Sequence, residues 1–377
     1  MKKLKIGVAG LGRAFALTAP ALRDPRVQVV AGADPRPEAR RRFQQEYGAR
    51  VFPTVEALCA DPAVEVVYIA TPHQFHASQA RLACAAQKHV LVEKPMALSL
   101  EDCRAMNDAA RDHGVQLIVG HSHSFDLPIL KTRELIQTGN YGAARMITAL
   151  DFTDFLYRPR RPEELATETG GGVVFNQAAH QVDIVRLLAG GKVLSVRAHT
   201  GIWDPARPTE GAYSCQLRFD SGVFATLVYS GYAHFDSDEL MGWIGEMGQK
   251  KDPKAYGAAR KSLKGDELRL KARRNYGGRE FKPTRASAHQ HFGVLVVSCE
   301  QADLRPLPNG VMNYGEREKR LQRLPKPRIA RAEVIDELYG AVVEGRSPLH
   351  GGESALATLQ VCLAMLESAR RQKEIVL

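Results

Sequence analysis

Over the first 120 residues, short runs of Val, Ile, Leu and Ala alternate with longer stretches in which apolar side chains recur every three or four positions. The runs at 5–9, 27–33, 64–70, 89–92 and 115–120 are almost continuously apolar, as strands buried on both faces are. Between them, 15–23, 37–47, 74–86 and 100–113 have helical spacing. This alternation predicts an α/β Rossmann fold, a doubly wound parallel sheet. Beyond residue 125 the pattern changes. A helix is expected over 129–138, then the run 144–155, a Gly-Gly-Gly turn at 170–172 and a helix over 176–188. Extended runs at 193–200, 212–219 and 223–232 follow without intervening helices, with hairpin chemistry at Asp220-Ser221-Gly222. They predict an α+β domain with a mainly antiparallel, open sheet. Helical patterns at 332–344 and 354–371 close the chain, and 245–290 has no clear period. The expected division is a nucleotide-binding domain over 1–122 and an α+β domain over 123–377. The second would serve substrate binding and oligomerisation, and would include a basic segment at 250–285 and C-terminal helices within 332–371.

The length, 377 residues, suits two domains or three, and 44% hydrophobic with 25% charged residues is ordinary for a globular protein. No uninterrupted apolar run approaches the roughly 18 residues of a membrane helix. Six scattered cysteines, with no Cys-x-x-Cys, favour a reducing compartment over a disulfide framework or structural zinc. Met1-Lys2-Lys3 and the apolar stretch after it outline a signal peptide, but Arg13, Gly7, Gly10 and Gly12 interrupt it. A cytoplasmic protein is expected. The net charge of +10 is concentrated: 250–285 holds thirteen Lys and Arg against four acids. One dense segment reads as a solvated excursion, a subunit contact or an anion contact. It lacks the basic stripe of a nucleic-acid binder.

The first strand runs into Gly10-Leu11-Gly12-Arg13-Ala14-Phe15, two positions of a Gly-x-Gly-x-x-Gly turn with Phe15 in place of the third glycine. Glycine there lets the backbone bend tightly and approach a pyrophosphate resting on the next helix. Asp34 ends the second strand 22 residues after Gly12, where a carboxylate hydrogen-bonds ribose hydroxyls and repels a 2′-phosphate. NAD is therefore expected rather than NADP, with Arg36 the residue that could reverse this. Asp34 could instead simply cap a helix. Thr71, Pro72, His73 and His76 follow the third strand, and Glu93-Lys94-Pro95 follows the fourth, both at carboxyl ends where such sheets bind ligands. Lys94 suits a proton relay if desolvated, or is an exposed partner of Glu93.

The set Gly10-Leu11-Gly12, Asp34, Tyr47-Gly48, Thr71-Pro72, His76 and His89-Val90-Leu91-Val92-Glu93-Lys94-Pro95 resembles the Gfo/Idh/MocA family of NAD(P)-dependent oxidoreductases. The likeness continues through Gly170-Gly171-Gly172, His180 and Asp183, and so covers nearly the whole chain. It implies that Lys94 and His180 are catalytic. It also implies that the second domain's sheet covers the substrate and joins subunits as a homodimer or homotetramer. Two departures count against a sugar or polyol. Asn176 stands where those members usually place Asp, and Gly120-His121-Ser122-His123-Ser124-Phe125 stands where they carry an Asn-Arg-Arg-Phe-like run. Together with 157–165, 177–183, Asp236-Ser237-Asp238-Glu239 and Trp243-Ile244-Gly245-Glu246, these runs are similar to those of phthalate cis-4,5-dihydrodiol dehydrogenases.

That likeness implies NAD-dependent oxidation of a small dianionic aromatic dihydrodiol to 4,5-dihydroxyphthalate, with no metal, nucleic acid or membrane partner. Arg158, Arg160 and Arg161 could grip its carboxylates, or form a solvated or subunit-contacting loop. Of His121 and His123 only one can face a cleft, and His180 is the expected base, with Lys94 polarising or relaying. Cofactor contacts are expected from Gly10, Gly12, Arg13, Ala14, Phe15, Asp34, Arg36, Thr71, Pro72, His73, His76, Glu93 and Lys94. Substrate contacts are expected from His121, His123, Arg158, Arg160, Asn176 and His180. A polyol dehydrogenase and a non-catalytic NAD sensor are the alternatives.

Overall fold

The computed structural model describes residues 2–120, 122–278 and 286–377. Its first unit is built on six parallel strands: β1 (Leu4–Ala9), β2 (Val27–Ala33), β3 (Arg50–Phe52), β4 (Val66–Ile69), β5 (His89–Val92) and β6 (Leu117–Val119). The order β3-β2-β1-β4-β5-β6 reverses beside β1, the topological switch point at which open α/β sheets take ligands. Connecting helices are α1 (Arg13–Thr18), α2 (Pro37–Tyr47), α3 (Val55–Cys59), α4 (His76–Ala85) and α5 (Leu100–Asp112). Local chemistry sets their ends. Pro37 opens α2 and left-handed Gly48 closes it. The Thr54 and Ser99 hydroxyls cap α3 and α5. The expected helix 15–23 is broken in two, since α1 stops before Pro20 and a 3-10 turn follows at Ala21–Arg23.

The second unit carries α6 (Leu127–Gln137), β7 (Ala144–Phe152), α7 (Ala179–Ala189), β8 (Val193–Gly201), β9 (Ala212–Phe219) and β10 (Phe224–Ser230). Then come α8 (Ala258–Ser262), α9 (Glu267–Arg274), β11 (Val294–Cys299), β12 (Ala302–Leu307), β13 (Gly310–Gly315) and β14 (Lys319–Arg323). The chain ends with α10 (Ala332–Val343), α11 (Gly352–Arg371) and β15 (Ile375–Val376). The nine-stranded sheet runs β14-β13-β12-β11-β7-β10-β9-β8-β15, and its one parallel pair is β7 with β10. Along β7, Ile147, Ala149 and Asp151 turn inward while Met146, Thr148 and Leu150 turn outward. The inward face joins Ile184, Val185 and Leu188 of α7 in one core.

The division is not a single cut near residue 122. Residues 1–121, 269–283 and 329–359 form the first unit, and 122–268, 284–328 and 360–377 the second. So α10 belongs with the parallel sheet, whereas the sequence reading placed it in the second domain. The reason lies in one strand edge: the Val119 amide donates to the His350 carbonyl at 2.9 Å, and Glu337 of α10 holds the His350 ring at 2.7 Å. An apolar pattern marks 332–344 as a helix but does not say which sheet it covers.

Candidate active site

The turn after β1 has the geometry a dinucleotide needs. Gly10 sits at φ +90, and a Cβ there would lie 2.9 Å from the Ala70 carbonyl, so only glycine fits. A Cβ on Gly12 would meet nothing within 4 Å, leaving its backbone approachable at the start of α1. Arg13 is exposed and Ala14 half-buried beside it. Phe15 points the other way, into a cluster with Phe43 and Tyr276 at 5.5 and 4.8 Å between ring centroids. It supports the turn from beneath rather than touching a ligand. At the end of β2, the Leu11 amide donates to Asp34 Oδ2 at 2.8 Å, tying the acid to the turn. Arg36 engages both oxygens of Asp34, at 2.9 and 3.0 Å. Burial opposes charge on Asp34, yet Arg36 and the Leu11 amide hold its carboxyl below the usual range. This cradle fits an NAD(P)-type cofactor, with Arg36 beside Asp34 at the end of β2.

At the ends of β4 and β5 the sequence motifs converge. Burial pushes the Glu93 carboxyl up, against the pull of Arg331, Tyr68 and Lys94. The Tyr68 hydroxyl donates to Glu93, while Arg331 reaches Thr18 at 3.1 Å. Lys94, half-buried, precedes Pro95 across a cis peptide bond. Fully buried His76 has its ring nitrogens at 2.9 Å from the Pro95 carbonyl and 3.0 Å from that of Thr71. It therefore fastens the two strand ends together and reaches a cofactor only through them. Thr71 also donates to Gln79, and Pro72 and His73 lie half-buried at the start of α4.

The second unit gathers a different cluster. His123, His180 and Phe292 pack ring to ring, with centroids 4.8 to 5.1 Å apart. The His123 amide donates to His180 Nδ1 at 3.3 Å. The His123 ring is 1% exposed, with Nδ1 at 2.7 Å from Asp126 and Nε2 at 3.5 Å from Glu246. Burial works against its charge, but these two carboxylates raise it to about 9. Expected among the substrate contacts, His123 is instead turned into the protein, while His121 lies outside the described residues. Glu246 continues to Arg158 at 3.3 Å, and Arg158 to Asp154 at 2.9 Å. Arg161 is paired with Glu163 at 3.0 Å.

Arg160 differs. Its guanidinium lies 3.7 Å above the Phe155 ring and donates to the Phe155 carbonyl, while its Nε is buried without a hydrogen-bond partner. Among the described residues, no carboxylate lies within ion-pair distance of its side chain, and burial lowers it to about 10. Asn176, placed against substrate by the sequence reading, donates to the Gly170 and Gly172 carbonyls at 3.0 and 2.8 Å. It thus braces the glycine turn, in which Gly172 at φ +75 lets buried Glu210 close in. Asp126, Glu246 and Phe292 carry no role in the sequence reading. Asp126 directly follows one of the quoted runs and Glu246 ends another, 120 residues apart, and only the fold joins them. No three His, Cys, Asp or Glu side chains converge as metal ligands among the described residues.

Two family models match. Residues 4–121 fit an oxidoreductase family with an NAD-binding Rossmann fold, and residues 129–249 fit the GFO/IDH/MocA C-terminal domain. The chain belongs to the Gfo/Idh/MocA oxidoreductases. Among Gfo/Idh/MocA relatives, it is 50% identical to the 1-carboxy-3-chloro-3,4-dihydroxycyclohexa-1,5-diene dehydrogenase of Comamonas testosteroni, across 97% of this chain and 95% of the relative. It is 28% identical to the inositol 2-dehydrogenase of Rhizobium meliloti (strain 1021), across 65% and 74%. A solved structure from Bordetella bronchiseptica RB50 covers both chains fully at a TM-score of 0.95 and 42% identity. The WlbA dehydrogenase of Bordetella pertussis, solved with NADH and UDP-GlcNAcA, shares the fold at a TM-score of 0.69 and 22% identity, across 100% and 99%.

Proposed function

We propose that this Gfo/Idh/MocA enzyme oxidises a cis-dihydrodiol of an aromatic acid to the catechol, using NAD. Its substrate on this reading is phthalate cis-4,5-dihydrodiol and its product 4,5-dihydroxyphthalate, in the breakdown of aromatic acids. The observation that carries the reading is the 50% identity, along nearly the whole of both chains, to a dehydrogenase named for a carboxylated dihydroxycyclohexadiene. Loss of a hydride from the carbinol carbon and a proton from its oxygen leaves a dienone, which tautomerises to an aromatic catechol. When bound, the nicotinamide supplies the hydride acceptor. Asp34, held to the turn by the Leu11 amide, receives ribose hydroxyls once Arg36 yields them room. Lys94 and His180 manage the hydroxyl proton and hold the oxygen. Arg160 takes a ring carboxylate: among the described residues its guanidinium has no ion-pair partner, and stacking on Phe155 fixes its plane.

A second reading, a ring with a single carboxylate, is favoured by that same count, because Arg158 and Arg161 already have acid partners. The test is reduction of NAD, with NADP in parallel, by phthalate cis-4,5-dihydrodiol, by a monocarboxylated cis-dihydrodiol and by inositol. Oxidation of either diol, with Arg160→Met raising KM by about tenfold or more for one lost charged contact, is expected. Turnover of inositol with neither diol touched would overturn the reading. Assembly as a homodimer or homotetramer through the second unit's sheet belongs to the same proposal.

A further inference from the structure

Phe15 stands where the dinucleotide fingerprint keeps its last glycine, the one that lets the helix after the turn lie close against the sheet. A phenyl ring does not fit that contact and needs walls of its own. Two come from α2: Phe43 at 5.5 Å and Tyr47 at 6.1 Å between ring centroids. The third is Tyr276, from the basic stretch that reads in the sequence as a solvated excursion. Its ring meets Phe15 edge-on, at 4.8 Å and 81°. Tyr276 is buried, its hydroxyl donates to Glu46 at 2.7 Å, and the Arg42 guanidinium lies 5.3 Å from its ring. The helix α2 thus holds Tyr276 by both its polar end and its face. The backbone around it is shaped for this insertion. Gly277 turns the chain at φ +84 just after α9, and a Cβ on Gly278 would lie 2.2 Å from the Arg273 carbonyl. Residues 269–278 accordingly belong to the same unit as β1 and α2.

We propose that Tyr276 is a positioning residue for the cofactor: pressed on Phe15, it holds the Gly10-Leu11-Gly12 turn in the shape a dinucleotide requires. The route is short. The Ala16 amide donates to the Gly12 carbonyl at 3.2 Å, so the backbone that carries the phenyl ring also carries the turn. The substitution at Phe15 and the excursion that ends in Tyr276-Gly277-Gly278 are two halves of one support, which replaces the missing glycine. This rests on the NAD-binding fold of the family and not on the choice of substrate.

Fluorescence titration of the full chain with NADH and with NADPH tests this without any substrate. Tyr276→Leu should weaken binding of the better-bound dinucleotide about tenfold, whereas Tyr276→Phe, which keeps the ring, should stay within about threefold. Phe15→Leu should weaken binding much as Tyr276→Leu does, and the double variant no further, since each half of the pair is idle without the other. Three outcomes would overturn the proposal: losses that multiply in the double variant, a loss in Tyr276→Phe as large as in Tyr276→Leu, or a Tyr276→Leu protein that melts lower yet binds as tightly as wild type. The wild-type protein offers a second test that no folding failure can spoil. By linkage, a segment that helps to bind the cofactor is itself stabilised by it. The better-bound dinucleotide should therefore slow amide hydrogen exchange across 272–278 as well as across 10–16, and slowing at the turn alone would reject a role for Tyr276 in cofactor binding.

Discussion

Asp151, in the middle of β7, is 2% exposed and accepts a hydrogen bond from Ser237 at 2.7 Å. Burial, with Glu246 and Asp238 nearby, raises its carboxyl to about 8, so it stays protonated at neutral pH. The folded state holds this proton more tightly than the unfolded chain, whose carboxyl titrates near 3.8. Its contribution is therefore complete below that value and is lost as pH rises through 8. Asp151→Asn keeps the uncharged shape and removes the loss. Denaturant unfolding should find the variant more stable than wild type at pH 8, by on the order of 5 kcal/mol, and equal to it near pH 4. A variant less stable at pH 8 would show that Asp151 is needed as an anion. Single residues were legible in the sequence where a motif fixes their local geometry, as with Gly10 at φ +90 and Asp34 tied to the turn by the Leu11 amide. Asp151 gives no such signal, since its protonation depends on side chains 86 to 95 positions away.

Among the elements, α1 shows how a departure from a pattern is compensated. The ring of Phe15 fills the space beneath the Gly10-x-Gly12 turn and packs on Phe43 and Tyr276. Restoring the missing glycine should therefore do harm. Phe15→Gly should lower stability by about 4 kcal/mol, from the emptied ring site and the flexible helix position together, read as a fall in Tm of the cofactor-free protein. Unchanged Tm with tighter NAD binding would show that the ring only obstructs the turn. The strands β2 and β5 and the helix α2 fall where the apolar pattern put them, because continuous or periodic apolar runs are decisive at that length. The strands β11 to β14 were not foreseen. In β14, Lys319-Arg320-Leu321-Gln322-Arg323, one apolar residue among charges marks a sheet edge that no periodicity betrays. The basic stretch gave no period because it is short helices, α8 and α9, between turns; positions 279–285 lie outside the described residues.

For the whole molecule, the outward face of the nine-stranded sheet bears on assembly. Met146 and Phe224 pair across β7 and β10, 38% and 52% exposed, and Leu150 pairs with Val228 further along. If this face joins subunits, Met146→Glu with Phe224→Glu yields a monomer by light scattering, where the wild type is a dimer or tetramer; an unchanged mass would place the contact elsewhere. No helix among the described residues is long and apolar enough to cross a membrane. The return of 329–359 to the first unit has a different consequence, one of timing. A ribosome releases β6 soon after residue 119, but the backbone that pairs with it, at His350 and Gly351, emerges more than two hundred residues later. Until then the β6 edge of the parallel sheet stays unpaired, and the first 121 residues alone lack the backbone that covers it.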